Sequence, residues 1–147
     1  MELNSARLRV LAERENVRTI ATRAVAQAKD FGLQGFAKAL LNTVDNLERA
    51  VESVPAEARE KREGNEVMAN LYEGIAATHR DFVKVLGQNG ISRFGEKGEA
   101  FDYNRHEVLL QLPASPATPA NTVAQVLKTG YMLNGRIIRV AQVATAV

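Results

Sequence analysis

The chain has 147 residues, 46% of them apolar and only 5% aromatic, which suits one or two small domains and excludes a large enzyme core. Its 19 basic and 17 acidic residues leave a net charge of +2 with the signs interleaved, so nucleic-acid binding is not favoured. The absence of cysteine excludes disulfides, thiolate metal ligands and a thiol nucleophile, and no apolar run approaches the roughly 20 residues that span a bilayer.

From Leu3 to Val54 the sequence runs without a proline and reads as one very long helix. At 1.5 Å per residue it extends roughly 75 Å, against a radius of gyration of about 15 Å for a compact chain of this length. Such a helix must find its partner outside the chain. Its second half carries Leu33, Ala37, Leu40, Val44, Leu47, Val51 and Val54 at alternating spacings of four and three, the seam of a coiled coil or bundle. Its first half repeats Leu3, Val10, Val17, Ala24 and Phe31 every seven residues, but Glu13 and Gln27 interrupt the intervening positions. That half predicts a loosely paired, exposed helix that melts before the rest. The two seams change phase near Gly32 and Gly35, which predict a soft joint. Arg7, Arg9, Arg14, Arg18 and Arg23 have the look of a transit peptide, yet Glu2, Glu13 and Glu15 among them argue against one. Because helical pattern begins almost at once, we expect the natural N-terminus, with any targeting segment, to lie upstream.

Pro55 ends this helix, and a charged connection through Gly64-Asn65 leads to a second helix with Asn65 as N-cap. Met68, Leu71, Ile75, Phe82 and Leu86 form its apolar face, and Asn89-Gly90 supplies a left-handed stop. The resulting hairpin has one apolar face, which a second copy would close into a four-helix bundle. From Ile91 the pattern becomes extended. Strands are predicted at Glu107 to Leu112, Thr122 to Lys128, Gly130 to Leu133 and Arg136 to Val143, with a proline-rich loop from Pro113 to Asn121. Asn134-Gly135 between the last two is the strongest hairpin signal in the chain. The fold class is α+β, with residues 1–90 forming the helical dimerisation part and residues 91–147 a small β domain.

Sites of chemistry are few. Asp102, His106 and Glu107 are compatible with acid–base or metal chemistry, but the plainer reading has Asp102 capping a turn and His106 bonding locally. His79 reads as a bundle-edge residue. Gly95-Glu-Lys-Gly98 is too short and too acidic for a phosphate loop, so no nucleotide or other cofactor is expected. Arg7, Arg14 and Arg18 fit a solvated helix face. Arg136 and Arg139 differ, because they follow a tight turn at the tip and flank of a rigid domain, where a guanidinium can grip a partner's carboxylate bidentately.

Three separated motifs resemble the GrpE family, the nucleotide exchange factors of DnaK-type heat-shock chaperones. They are Ala28-Lys29-Asp30-Phe31 through Asp45-Asn46-Leu47-Glu48-Arg49-Ala50; Gly98 to Val108 with Phe101-Asp102 and His106-Glu107; and Val123 through Gly130-Tyr131 to Leu133-Asn134-Gly135-Arg136 and Arg139. Glu15-Asn16-Val17-Arg18 is similar to the family's Glu-Asn-Leu-Arg. Tyr103, Val108 and Val140 depart from the pattern, as does Gln27, where a basic residue is frequent.

The resemblance implies a homodimer with paired long helices, a four-helix bundle and β domains spread as wings. One wing, supported by the long helix, enters the nucleotide cleft of the chaperone's ATPase domain and speeds ADP release without covalent chemistry. It implies chaperone contacts at Arg136, Leu127, Val143 and Arg18, the apolar pair acting as contacts or as support. The dimer interface falls to Leu33, Leu40, Val44, Leu47, Val51, Leu71, Ile75 and Phe82. Unfolded polypeptide is a further expected contact, and membrane insertion is not expected. Leu71 to Ile75 and Gln34 to Lys38 look like mitochondrial members, so the expected compartment is the matrix, with bacterial cytoplasm as the alternative. The competing functions are a dimeric scaffold without exchange activity and a small hydrolase built on Asp102 and His106.

Overall fold

The computed structural model describes residues 2–147, and the chain divides into two units, residues 1–35 and 36–147. The first unit is built on α1 (Glu2–Phe31), and every residue from 3 to 30 is exposed. Leu3, Val10, Val17 and Val25 are all more than half exposed, so the helix has no core within its unit. The helical run is interrupted at Gly32 and Leu33, where the soft joint was expected, and resumes as α2 (Gln34–Ser53). Gly32 donates to the Ala28 carbonyl at 2.8 Å, and a β-carbon at Gly32 would collide with that oxygen. Only glycine fits this close approach.

In the second unit α2 buries Ala37, Leu41 and Val44, an i, i+4, i+7 stripe. Leu41 is completely buried and lay outside the expected seam, while Leu33 is 58% exposed in the interhelical turn. Leu40, Leu47 and Val51 are half-buried. A short turn, α3 (Ala56–Arg59), leads to α4 (Glu66–Gln88). The connection lies along α4, with Arg59 over the Tyr72 ring and Lys61 paired with Glu73. Asn65 occupies the N-cap position but its side chain does not cap; its amide donates back to the Ala58 and Glu60 carbonyls, both at 2.9 Å. The connection therefore takes the hydrogen bonds expected to serve the helix.

The expected apolar face of α4 is only partly covered. Ala69, Ala76 and Leu86 are buried, Ile75 and Phe82 half-buried, and Met68 and Leu71 exposed. Leu40 of α2 and Phe82, Val85 and Leu86 of α4 line an open apolar hollow of about 450 Å³. The hairpin thus buries a narrow stripe of its own chain and leaves a broader apolar one open.

Gly90, at φ +80°, ends α4 in the left-handed region, and Ile91 is buried just beyond it. A side chain at Gly90 would strike Asn134, whose backbone N–H donates to the Gly90 carbonyl at 2.9 Å. The helix end is thereby fastened to the tip of the far hairpin.

The β part has strands β1 (Ile91–Phe94), β2 (His106–Leu112), β3 (Val123–Lys128), β4 (Gly130–Leu133), β5 (Arg136–Arg139) and β6 (Ala141–Ala146). They form two three-stranded sheets in the orders β1-β4-β5 and β2-β6-β3. Asn134 and Gly135 take φ of 47° and 82°, as the tight turn between β4 and β5 requires. The single strand expected from Arg136 to Val143 is broken at Val140, because β6 leaves the hairpin and inserts between β2 and β3, parallel to β2. Phe94, Val123, Ala141 and Val143 form the core, with Phe101, Val126, Met132 and Ile137 packed around it.

Tyr131 is fully buried in β4 and its hydroxyl has no hydrogen-bond partner among the described residues. Burial pushes its phenol above 10.0, Glu48 and Asp45 push the same way, and Arg93 and Arg139 oppose them. Both folded and unfolded chains hold the phenolic proton below that value; above it the unfolded chain loses its proton first, so stability falls as pH rises toward the folded value. Tyr131→Phe removes a buried unpaired hydroxyl and should raise stability by up to about 1 kcal/mol at neutral pH while flattening the alkaline loss. Urea titrations at pH 7 and 10.5 measure both effects, and a destabilised variant would show that the hydroxyl is paired.

Candidate functional site

The β1-β4-β5 sheet places Arg93, Tyr131 and Arg139 directly opposite one another in register, so the three share one face. Asp45 and Glu48 lie three residues apart on α2, hence on one side of that helix. Arg139 grips Asp45 with both terminal nitrogens, at 2.6 and 2.7 Å, and the two side chains are only 13% and 12% exposed. Its Nε and Nη2 also donate to the Thr129 carbonyl, at 3.1 and 2.7 Å. Its guanidinium stands 5.2 Å from the centre of the Tyr131 ring. Lys128 Nζ adds a third cationic contact, 3.6 Å from Asp45.

Glu48 pairs with Arg93 at 2.6 Å, and Arg93 also reaches the Thr129 hydroxyl at 3.3 Å. The carbonyl and the hydroxyl of Thr129, the single residue between β3 and β4, are therefore held by arginines that α2 holds in turn. The sequence places Arg139 where a guanidinium can grip a partner's carboxylate; in the structure the bidentate grip is made on the chain's own Asp45, 94 residues away.

The expected contact residues are placed unequally. Leu127 is 42% exposed on β3, beside a polar cleft of about 490 Å³ lined also by Asp45, Glu48, Arg49, Glu52, Arg93 and Lys128. Arg136 is exposed at the start of β5, immediately after the turn. Val143 is completely buried in the core. Of the two roles considered for it, surface contact is ruled out by this burial and only support is open. Arg18 is exposed on α1, in the other unit, with Glu15, Thr19, Thr22 and Arg23 around it.

His106 is 4% exposed, its Nδ1 accepts the Asp102 backbone N–H at 3.0 Å and its Nε2 lies 3.3 Å from Glu99. Phe94 and Phe101 pack against the ring, and Asp102 Oδ1 accepts the Asn104 N–H at 2.8 Å. This is turn-capping and packing, and the ring presents almost no surface to a substrate. His79 is half-buried on α4. Among the described residues no group of His, Asp or Glu could hold a metal ion, and no helix is long and apolar enough to cross a membrane.

The two arginine clamps should differ in worth. Arg139→Ala leaves Asp45 nearly buried with only the longer Lys128 contact and should cost about 3 kcal/mol. Arg93→Ala breaks a more exposed pair and should cost less than about 1 kcal/mol. Equal losses in denaturant titrations would contradict this ranking.

A family model described as GrpE matches residues 1–147. Protein GrpE of Nitrobacter winogradskyi is 40% identical over 139 residues, which cover 95% of this chain and 69% of that protein. Protein GrpE of Rhodopseudomonas palustris is 39% identical over 139 residues, covering 95% and 66%. A GrpE protein homolog, mitochondrial, of Schizosaccharomyces pombe is 42% identical over 142 residues, covering 97% and 63%. The chain spans about two thirds of the length of these relatives and matches the family model from end to end, with the helical hairpin and two-sheet domain described above: it belongs to the GrpE family.

Proposed function

We propose that this protein is an adenyl-nucleotide exchange factor: it binds the ATPase domain of a DnaK-type chaperone, favours its open nucleotide cleft and so speeds ADP release. The observation that carries this reading is the setting of Arg136. It is exposed at the first position after a tight hairpin turn, on a β domain that is tied to α2 by a nearly buried bidentate ion pair. A cation held on a rigid tip suits insertion into a cleft, and Leu127 offers apolar surface on the same domain. A ligand that prefers the open state shifts the chaperone toward it, and by reciprocity nucleotide weakens the ligand's hold. No covalent step is involved, and the protein itself is not an enzyme in this reading.

The working form is a homodimer. Exposed Phe36, Met68, Leu71 and Val85 on the hairpin, with Leu33 in the turn before it and the bare apolar positions of α1, supply the surface a second copy would cover. Leu40, Leu47, Val51, Ile75 and Phe82, all half-buried, complete the proposed interface, whereas Val44, expected in it, is fully buried within its own chain and offers a second copy no surface. Arg18 is assigned to a helix-side chaperone contact and Val143 to support of the wing core. On the Leu71 to Ile75 and Gln34 to Lys38 segments the compartment is the mitochondrial matrix, where the same exchange would serve folding and import. Bacterial relatives match at similar identity, so the test uses chaperones of both kinds.

Stopped-flow release of a fluorescent ADP analogue from the chaperone should accelerate on adding the protein, and Arg136→Glu, shown to be folded by circular dichroism, should abolish the acceleration. Sedimentation equilibrium on the same preparation should give a dimer. A dimer that binds the chaperone without accelerating release would leave it a scaffold.

A further inference from the structure

We infer that Asp45 is a positioning residue: by holding Arg139 it fixes the β domain on α2, and this fixed angle converts chaperone binding into cleft opening. The inference rests on the exchange reading above. Between the helical hairpin and the β domain the chain has one covalent crossing, at Asn89-Gly90, where α4 runs into β1. At that crossing the Asn134 N–H holds the Gly90 carbonyl at 2.9 Å, so the junction is fastened at one point. The fastening away from that point is polar and comes from α2: Asp45 on Arg139 and Lys128, and Glu48 on Arg93.

These contacts touch the β-domain core at Tyr131, whose ring Arg139 overlies. Phe94, Val123, Ala141 and Val143 form a cluster with Phe101, Val126, Met132 and Ile137 around it, none of them a clamp residue. What the clamp holds is a piece of backbone. Thr129 offers its carbonyl to Arg139 and its hydroxyl to Arg93. Leu127 lies two residues before Thr129, and Arg136 lies three before Arg139 on the same strand. Both proposed contact residues are thus carried on segments whose position α2 sets through two carboxylates.

A wing that pivots freely can still place Arg136 and Leu127 on the chaperone, and so still bind. It cannot favour the open cleft over the closed one, because it follows the cleft as it moves. Binding without preference shifts no population. Loss of the clamp should therefore separate affinity from exchange, which loss of a contact residue should not.

Asp45→Asn keeps the shape of the side chain and one accepting oxygen but removes the charge that holds two cations. At saturating protein its acceleration of ADP release should fall about tenfold from wild type, while its affinity for the nucleotide-free chaperone should change less than about threefold. Hydrogen exchange at Val123 and Val143 should stay protected, showing an intact β domain. If Asp45→Asn loses that protection, Arg139→Lys is the second variant. It keeps the positive charge but not the bidentate grip, and the same split between affinity and exchange is expected, at about threefold in rate. Full acceleration by either folded variant, or affinity and acceleration falling together, overturns the inference. A wild-type protein that binds without accelerating release contradicts the exchange reading itself, a different outcome from wild-type acceleration that the variants retain.

Discussion

The contact on which the second unit depends is the Asp45–Arg139 pair. Two oppositely charged groups with side-chain exposures of 12% and 13% have given up most of their hydration. Such a pair is weak evidence for net stability, since two apolar residues of the same volume can do as well. What it supplies is direction. A carboxylate meeting a guanidinium at 2.6 and 2.7 Å in parallel admits one relative orientation, where an apolar contact would tolerate many. Nε and Nη2 also donate to the Thr129 carbonyl and the Tyr131 ring stands beside the guanidinium, so the arginine is held on several sides.

Around this fixed joint the chain distributes its apolar surface unevenly. The β domain is finished, with Val123, Ala141 and Val143 fully buried and both of its sheets contributing to one core. The hairpin is half finished: Leu41 and Val44 are fully buried, while Leu71 and Phe36 remain open to solvent at 57% and 66%. α1 is unfinished in its own unit, and its Thr19 and Thr22 hydroxyls bond only to carbonyls one turn back. An isolated helix gains little from such local bonds, and tertiary packing is what normally sustains one. The gradient runs from a complete domain to a bare helix, and the homodimer proposed above would cover the open end.

Local features were legible in the sequence because their causes are local. The Asn134-Gly135 turn, the Gly90 stop and the interruption at Gly32 follow from backbone angles or close approaches that only certain residues allow. The strand positions of β2, β3 and β4 followed from short apolar runs between turn signals. What escaped were pairings across the chain. The break at Val140 reflects a parallel partner in β2, some thirty-five residues earlier by the register His106 to Ala141, and no local period encodes it. Leu41 rather than Leu40 is buried, so the buried stripe is Ala37, Leu41 and Val44 and not the expected seam. Asn65 looked like a cap, but nearby carbonyls took its amide. Arg139 was recognised as a residue fit for bidentate work, yet its partner lay on a helix read for its apolar seam alone. The expected site survives at Arg136 and Leu127 as exposed positions and loses Val143 as a surface contact, because alternation along a strand does not say which face another sheet will cover.

The account stands on coupling between this protein's binding and the chaperone's nucleotide, and calorimetry on the wild-type protein tests it most directly. Affinity for the isolated ATPase domain would be measured without nucleotide and with saturating ADP, and the affinity of that domain for ADP with and without this protein. The account predicts that the protein binds the nucleotide-free domain more tightly, and that ADP is weakened by the same factor. Equal affinity for the empty and the ADP-loaded domain would contradict it.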